Sequence, residues 1–233
     1  MLFEILRKGK VMGMMTHPRI NGSDEIDPLF AEYAKKIVLD YERLKKVTEG
    51  FQAIGRKVVV TIGSWDSLHI GQVRYITRAK ARGDVLVVGF DSDRAIKLYK
   101  GEFRPLIPEE ERAEMLTYLD VIDFVTALDD VDKKGNWQYG LLEAIRPDIF
   151  VAVEDSYPEK QIAEIQQYVN EPVIVLPRQA DTSTSALIAK LLKGYLTPAY
   201  ELAHQRAMQE VLHGIQERKL PTSFDTTVHT GNS

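Results

Sequence analysis

From Lys57 onward the chain repeats one alternation: a β-branched run too short for a helix, a turn, then a stretch with helical spacing. Val58 to Ile62 is such a run, closed by Gly63, and Ile70 to Ala81 follows with apolar residues at three- and four-residue steps. Asp84 to Phe90 (DVLVVGF) is a second run, apolar almost throughout, as befits a strand covered on both faces. Pro108 and the acids Glu109 to Glu111 open a helix that extends to about Leu119 and leads into a run from Val121 to Thr126. A helix around Tyr139 to Ile145, a strand at Ile149 to Val153, a helix from Pro158 to about Val169, a strand at Pro172 to Leu176 and a helix from about Ser183 to Leu192 complete the series. Such alternation predicts an α/β fold built on a doubly wound, parallel five-stranded sheet with right-handed crossovers.

The alternation occupies residues 56–193, which leaves 1–55 and 194–233 as additions to the sheet domain. The stretch to Asp27 has no sustained period and reads as an extended arm. Pro28 to Gly55 spaces Phe30, Tyr33, Ala34, Ile37, Tyr41 and Leu44 as a helix, restarted at Asp40 as an N-cap. A second extra helix runs from Pro198 to Arg218 with Tyr200, Met208, Val211, Leu212 and Ile215 on one face, which suits docking or pairing with another subunit. After Leu220 the sequence PTSFDTTVHTGNS is polar and reads as disordered.

Composition narrows the partners. The balance of 30 Lys+Arg against 34 Asp+Glu gives a net charge of −4, so the field of the whole chain does not attract nucleic acid. The absence of cysteine removes disulfides, thiolate metal sites and cysteine nucleophiles together. No apolar run reaches the roughly 18 residues that a membrane span needs, and Arg7, Lys8 and Lys10 interrupt the apolar residues of the N-terminus. Cytoplasm is the expected compartment, with no membrane partner.

In an open parallel sheet, ligands bind beyond the carboxyl ends of the strands, where the topology reverses. The turn after the first strand therefore carries the first candidates: Gly63, Ser64, Trp65, Asp66, His69, Gly71 and Gln72. Gly63 permits a sharp exit, and His69 and Gly71 open a helix whose free N–H groups favour phosphate. A second constellation ends the second strand, where Asp91-Ser92-Asp93 precedes Lys97, Lys100, Arg104, Glu110 and Arg112. Acids beside spaced cations could hold a polar substrate on one side and a triphosphate on the other. The third runs from Leu176-Pro177-Arg178 to Ser183, Thr184 and Ser185, hydroxyls at a helix start that cap the backbone or bind anions. A fourth, Ala152 to Tyr157, contains Glu154 and Asp155.

The first turn resembles the nucleotidyltransferase (cytidylyltransferase-like) superfamily, whose signature is Gly-x-Phe-Asp-x-x-His-x-Gly-His. Here it is met by Gly63, Trp65, Asp66, His69 and Gly71, with Gln72 in place of the second histidine. The second constellation is similar to the adenylyltransferase domain of the enzymes that activate heptose 1-phosphate, in its Ser-Asp, Lys-x-x-Lys-Gly-x-x-Arg-Pro and Pro-x-Glu-x-Arg spacing. Leu176-Pro177-Arg178 with Ser183 and Thr184 is similar to glycerol-3-phosphate cytidylyltransferase. The resemblance spans roughly Lys57 to Leu192 and implies a Rossmann-like fold.

It also implies a reaction: transfer of a nucleotidyl group from an NTP, ATP before CTP, to a sugar-phosphate or polyol-phosphate, with Mg²⁺ accompanying the NTP. His69, Lys100 and Arg112 would carry catalysis. Gly63, Ser64, Trp65, Asp66, Gly71, Gln72, Asp155, Arg178, Ser183 and Thr184 would line the nucleotide, with Asp93, Lys100 and Arg104 toward the acceptor. The resemblance leaves the residues that would hold the metal open, and relatives are commonly dimers. Glycerol-3-phosphate or ethanolamine-phosphate cytidylyltransferase and an FAD synthetase-like adenylyltransferase are neighbouring activities. A nucleotide-binding module without turnover, marked by Gln72 and by the departure around Glu154, and a scaffold using its terminal helices are readings from other classes.

Overall fold

The computed structural model describes residues 28–154 and 156–217. The arm before residue 28, Asp155 and the tail after residue 217 lie outside the described residues. In chain order the elements are α1 (Pro28–Ala34), α2 (Tyr41–Ala53), β1 (Val58–Gly63), α3 (Ile70–Lys80), β2 (Val85–Asp91), α4 (Asp93–Lys100), α5 (Glu109–Thr117) and β3 (Phe124–Leu128). They continue with α6 (Gly140–Ile145), β4 (Ile149–Val153), α7 (Glu159–Ile165), β5 (Ile174–Leu176), α8 (Thr184–Leu191) and α9 (Thr197–Glu217).

The five strands form one sheet in the order β3-β2-β1-β4-β5, every pair parallel. This is the Rossmann-like, doubly wound α/β architecture expected from the alternation. The chain winds outward from β1 to β3 and then restarts at β4 on the other side of β1, so the reversal that opens a ligand crevice lies between β1 and β4. Side-chain alternation divides the core into two layers. Val59, Leu86, Val88, Phe90 and Val125 pack with Tyr75, Ile76 and Ala79 of α3 and Leu116 of α5. Val58, Val60, Val87 and Phe150 face Leu44 of α2 and Leu141, Leu142 and Ile145 of α6.

Local chemistry explains where elements begin. Asp40 caps α2 by accepting from the Glu42 and Arg43 N–H groups, as its place in the sequence suggested. Between α1 and α2 the chain runs along the outer edge of β3, where Val38 N–H donates to Val125 O and Val125 N–H to Lys36 O, so that edge is covered.

The third strand starts at Phe124, three residues later than Val121. Ile122 N–H turns back to Leu119 O, and Asp123 uses its N–H and carboxylate on the Leu86 backbone to enter the sheet. The helix expected to reach Val169 ends at Ile165 and passes into a 3₁₀ turn, Gln166–Tyr168. Helix α4 was not among the expected elements. Its N-cap is Ser92, whose Oγ accepts from Ala95 N–H at 3.0 Å.

The described residues fall into two compact units that divide after Thr184. The second is helical: α8 passes through a π-helical turn (Leu192–Leu196) into α9. It exposes Leu192, Leu196, Tyr200 and Met208. No described helix is long and apolar enough to cross a membrane.

Candidate active site

The loop leaving β1 is bent by two non-glycine residues in the left-handed region, Trp65 at φ 49° and Ser67 at φ 58°. Each such residue costs on the order of 1 kcal/mol or more unless its surroundings hold it. Trp65 is held. Its side chain is 4% exposed, its Nε1 donates to Gly89 O at 2.7 Å, and a Cβ on Gly63 would stand 3.2 Å from its ring. Expected to line the nucleotide, Trp65 instead sits in the core and fixes the path of the loop.

Asp66 is also turned inward. Its carboxylate accepts from the Leu106 and Ile107 N–H groups at 2.9 and 3.1 Å and pairs with Arg104 at 2.6 Å. Its own carbonyl accepts from the Thr184 hydroxyl at 2.6 Å. One residue therefore joins the β1 loop, the segment before α5 and the start of α8. Arg104, expected at the acceptor, is the buried partner in this arrangement.

Arg112 is fully buried and donates to Ile107 O, Ser64 O and Asp93 Oδ1 at 2.9, 2.6 and 2.6 Å. Expected to take part in catalysis, it is a clamp between the β1 loop and the head of α4. Asp93, expected at the acceptor, is the clamp's carboxylate, and its N–H donates to the buried Glu109 at 2.8 Å.

His69 stands at the N-cap of α3 with an extended backbone, and its N–H donates to Gln72 Oε1 at 3.1 Å. Gln72, in the place of the family's second histidine, thus spends its acceptor on the helix start and keeps its amide N–H₂ as a donor. The His69 Nδ1 is buried without a partner among the described residues, and burial lowers the pKa of the ring. A Cβ on Gly71 would lie 3.1 Å from the His69 ring and 3.2 Å from the Ala180 side chain. The glycine therefore admits close approach of the loop after β5, which Arg74 also reaches through Gln179 O. With Thr184 bonded to Asp66, the loop after β5 and the loop after β1 meet. Thr184→Val, which keeps the shape and deletes that buried hydroxyl, should cost about 1 to 2 kcal/mol in urea denaturation.

Lys100 reaches across to Ser64, Nζ to Oγ 2.6 Å, and desolvation together with the nearby Arg104 pulls its pKa down. On the β4 side, Glu154 accepts from Arg178 N–H at 2.8 Å and the Tyr157 hydroxyl donates to Ile62 O at 2.9 Å. Asp155 lies outside the described residues. Ser183 sits beside Thr184, partly buried.

Two acids that the sequence named by position alone are distinguished in the structure by their burial. Glu109 is buried against α4 and its pKa is raised by that burial. Asp91, the last residue of β2, is 2% exposed; burial pushes its pKa up to about 6 although the Tyr99 hydroxyl donates to its Oδ2 at 2.5 Å. The signal for Asp91 was an acid ending an otherwise apolar run. Among the described residues no group of three or more His, Cys, Asp or Glu could hold a metal ion.

An open parallel sheet with a histidine-headed helix N-terminus at its reversal point defines an α/β protein of the kind that binds phosphorylated ligands beyond its strand ends. Residues 60–198 match the family model described as cytidylyltransferase-like, and the chain belongs to that family.

Among curated proteins, it is 35% identical over 159 residues to "Bifunctional protein HldE" of Geobacter metallireducens, covering 68% of this chain and 31% of that one. It is 37% identical over 166 residues to the protein of the same name from Syntrophotalea carbinolica, covering 70% and 32%. The chain thus spans about a third of the length of these relatives. They agree with the resemblance to the heptose-activating enzymes that the motifs carry. A solved structure, the lipopolysaccharide core biosynthesis protein from Thermoplasma volcanium GSS1, aligns with a TM-score of 0.47 at 22% identity, over 54% of this chain and 100% of that one.

Proposed function

We propose that the chain is a nucleotidyltransferase that moves a nucleotidyl group from an NTP, ATP before CTP, to a sugar-phosphate or polyol-phosphate. An acceptor phosphate oxygen attacks the α-phosphorus, the bond to the β-phosphate breaks, and pyrophosphate leaves. The reaction requires no protein nucleophile, and the sequence contains no cysteine. Catalysis then consists of holding two phosphate groups in line and offsetting the charge that grows on the leaving oxygens.

The observation that carries this reading is the meeting of the β1 and β5 loops, which brings His69 and Thr184 to one end of the sheet through the Asp66 carbonyl. His69 and the N–H groups that open α3 donate to phosphate, and Lys100 supplies a cation. Ser64, Gly71, Gln72, Arg178 and Ser183 line the nucleotide. Arg112, Arg104, Asp66 and Asp93 act as positioning residues, since their polar groups are committed to one another and to the loops. Mg²⁺ accompanying the NTP would supply further compensation for the charge on the phosphates. The compartment is the cytoplasm, and the working form is a homodimer.

The test is pyrophosphate release from ATP, CTP, GTP and UTP, each with sugar, polyol and amino-alcohol phosphates and FMN. Release with a sugar or polyol phosphate is expected. Saturable NTP binding without release on any acceptor would instead favour a binding module, the reading that the commitment of Gln72 to the helix start supports. A rise of more than about tenfold in Gln72→His, on the scale of one regained charged donor, would mark the native site as impaired.

A further inference from the structure

Asp91 is the one buried carboxylate in the described site whose second oxygen has no work to do in the fold. Oδ2 takes the Tyr99 hydroxyl, while Oδ1 is buried with no partner among the described residues. Leaving a buried acceptor unpaired destabilises a protein, more so when it is charged. The other acids of this site leave no oxygen both buried and unpartnered: Asp66 uses both of its oxygens on the 104–107 segment, Asp93 bonds Arg112 through Oδ1, and Glu109 takes the Asp93 N–H on Oε2.

The position of Asp91 is the carboxyl end of β2, one strand from the β1 exit loop, which is the side of the sheet where ligands enter. The groups facing it are Tyr99 and Lys100 of α4, Arg112 of α5, Asp130 after β3, Tyr157 after β4 and Tyr41 of α2. Two of these are cations, and Arg104 adds a third beside Lys100. A substrate ammonium would enter a place already held by positive charge, whereas a neutral O–H would not. Tyr99 and Trp137, ring centroids 5.8 Å apart, add an aromatic pair suited to the C–H face of a polyol.

We propose that Asp91 is the hydroxyl-recognising residue of the acceptor site, its free Oδ1 accepting a hydrogen bond from a hydroxyl of a sugar or polyol phosphate whose phosphate lies toward Lys100. This rests on the nucleotidyltransferase reading and narrows it to hydroxylated acceptors. It also accounts for the buried acid: the site is built to meet a donor, so a ligand without one leaves Oδ1 unpaired and is rejected.

The test compares glycerol 3-phosphate with propyl phosphate, which lacks the hydroxyls, by calorimetric binding to the full chain, with phosphoethanolamine as the cationic probe. Wild type should prefer glycerol 3-phosphate by about tenfold or more, the scale of a hydrogen bond to a charged group. Asp91→Asn keeps an acceptor for Tyr99 and replaces a charged acceptor by a neutral amide that still bonds a hydroxyl, so the preference should shrink to about threefold or less. Its affinities for propyl phosphate and ATP should stay within about twofold, since neither uses that hydrogen bond. The variant should melt no lower than wild type, because it removes a buried charge, and its advantage should grow as pH rises from about 4, where the unfolded carboxylate ionises, to about 6, where the folded one does, and then level off.

Should the variant fail to fold, wild type decides. The preference must weaken as pH falls through about 6, with propyl phosphate correcting for ionisation of the phosphate itself. Three results overturn the proposal: equal binding of the two phosphates by wild type, tighter binding of phosphoethanolamine, or a preference that survives undiminished in Asp91→Asn. Pyrophosphate release separates the two levels. Release with an unchanged preference in the variant sinks the role of Asp91 alone, and a preference without release sinks the transfer reading alone.

Discussion

Replacing His69 with alanine should lower kcat for pyrophosphate release by about 10² to 10³, the scale of one preorganised donor to a developing oxyanion. The ring sits at the N-cap of α3 against Gly71, where an added Cβ would stand 3.1 Å from it. Burial lowers its pKa, so at neutral pH the imidazole is uncharged and acts by donating a hydrogen bond. His69→Asn, which retains a donor, should fall less far than His69→Ala. A drop confined to KM, with kcat unchanged, would mean that the ring binds substrate and transition state alike.

The same burial sets a pH dependence of stability. Because the folded pKa lies below the unfolded value of about 6.5, the unfolded chain takes up the proton first. The contribution of His69 is therefore present above that value and lost as pH falls toward the folded pKa. Urea midpoints of wild type and His69→Ala, compared from neutral pH downward, should show wild type losing more stability over that interval.

The sheet was legible because its strands are buried on both faces. Val58 to Ile62 and DVLVVGF admit few other readings once helical spacing separates them, and the Asp40 cap announced itself by residue type. What failed locally failed where tertiary bonds decide an element's limits. Asp123 defers the start of β3 by bonding the Leu86 backbone, a partner 37 residues away. Helix α4 is short and begins among charges that read more readily as a site than as a helix.

Site residues divided along another line. Residue type and spacing located the loops, yet they could not tell a side chain that faces the cleft from one that builds it. Trp65, Asp66, Arg104 and Arg112 carry the family's spacing, and in the structure they hold the loops to one another. Spacing placed Asp91 among the candidates, but what distinguishes it there is an oxygen without a partner, a property of packing that no spacing records.

The largest loss of stability is expected at Asp66. Its side chain has no exposure, and Arg104 opposite it has 11%, so the pair is held away from water while two backbone N–H groups share the same carboxylate. Asp66→Ala would strand the Arg104 guanidinium and the Leu106 and Ile107 donors together, and removing one partner of a buried pair costs about 3 to 5 kcal/mol. Asp66→Asn keeps one acceptor for the backbone and should lose less.

A double-mutant cycle isolates the pair. If Arg104 serves chiefly as counter-ion to Asp66, Arg104→Met should destabilise by itself and add little on top of Asp66→Ala, because the charge left unpaired in the single variant is then gone. Additive losses would mean instead that Arg104 has a separate attachment. Since Asp66 also offers its carbonyl to Thr184, loosening this loop should release the β5 side of the cleft, so Asp66→Asn should weaken NTP affinity at temperatures where the protein is still folded. Protein that binds nucleotide normally yet melts early would confine Asp66 to the scaffold and remove it from the account of how the two loops are kept together.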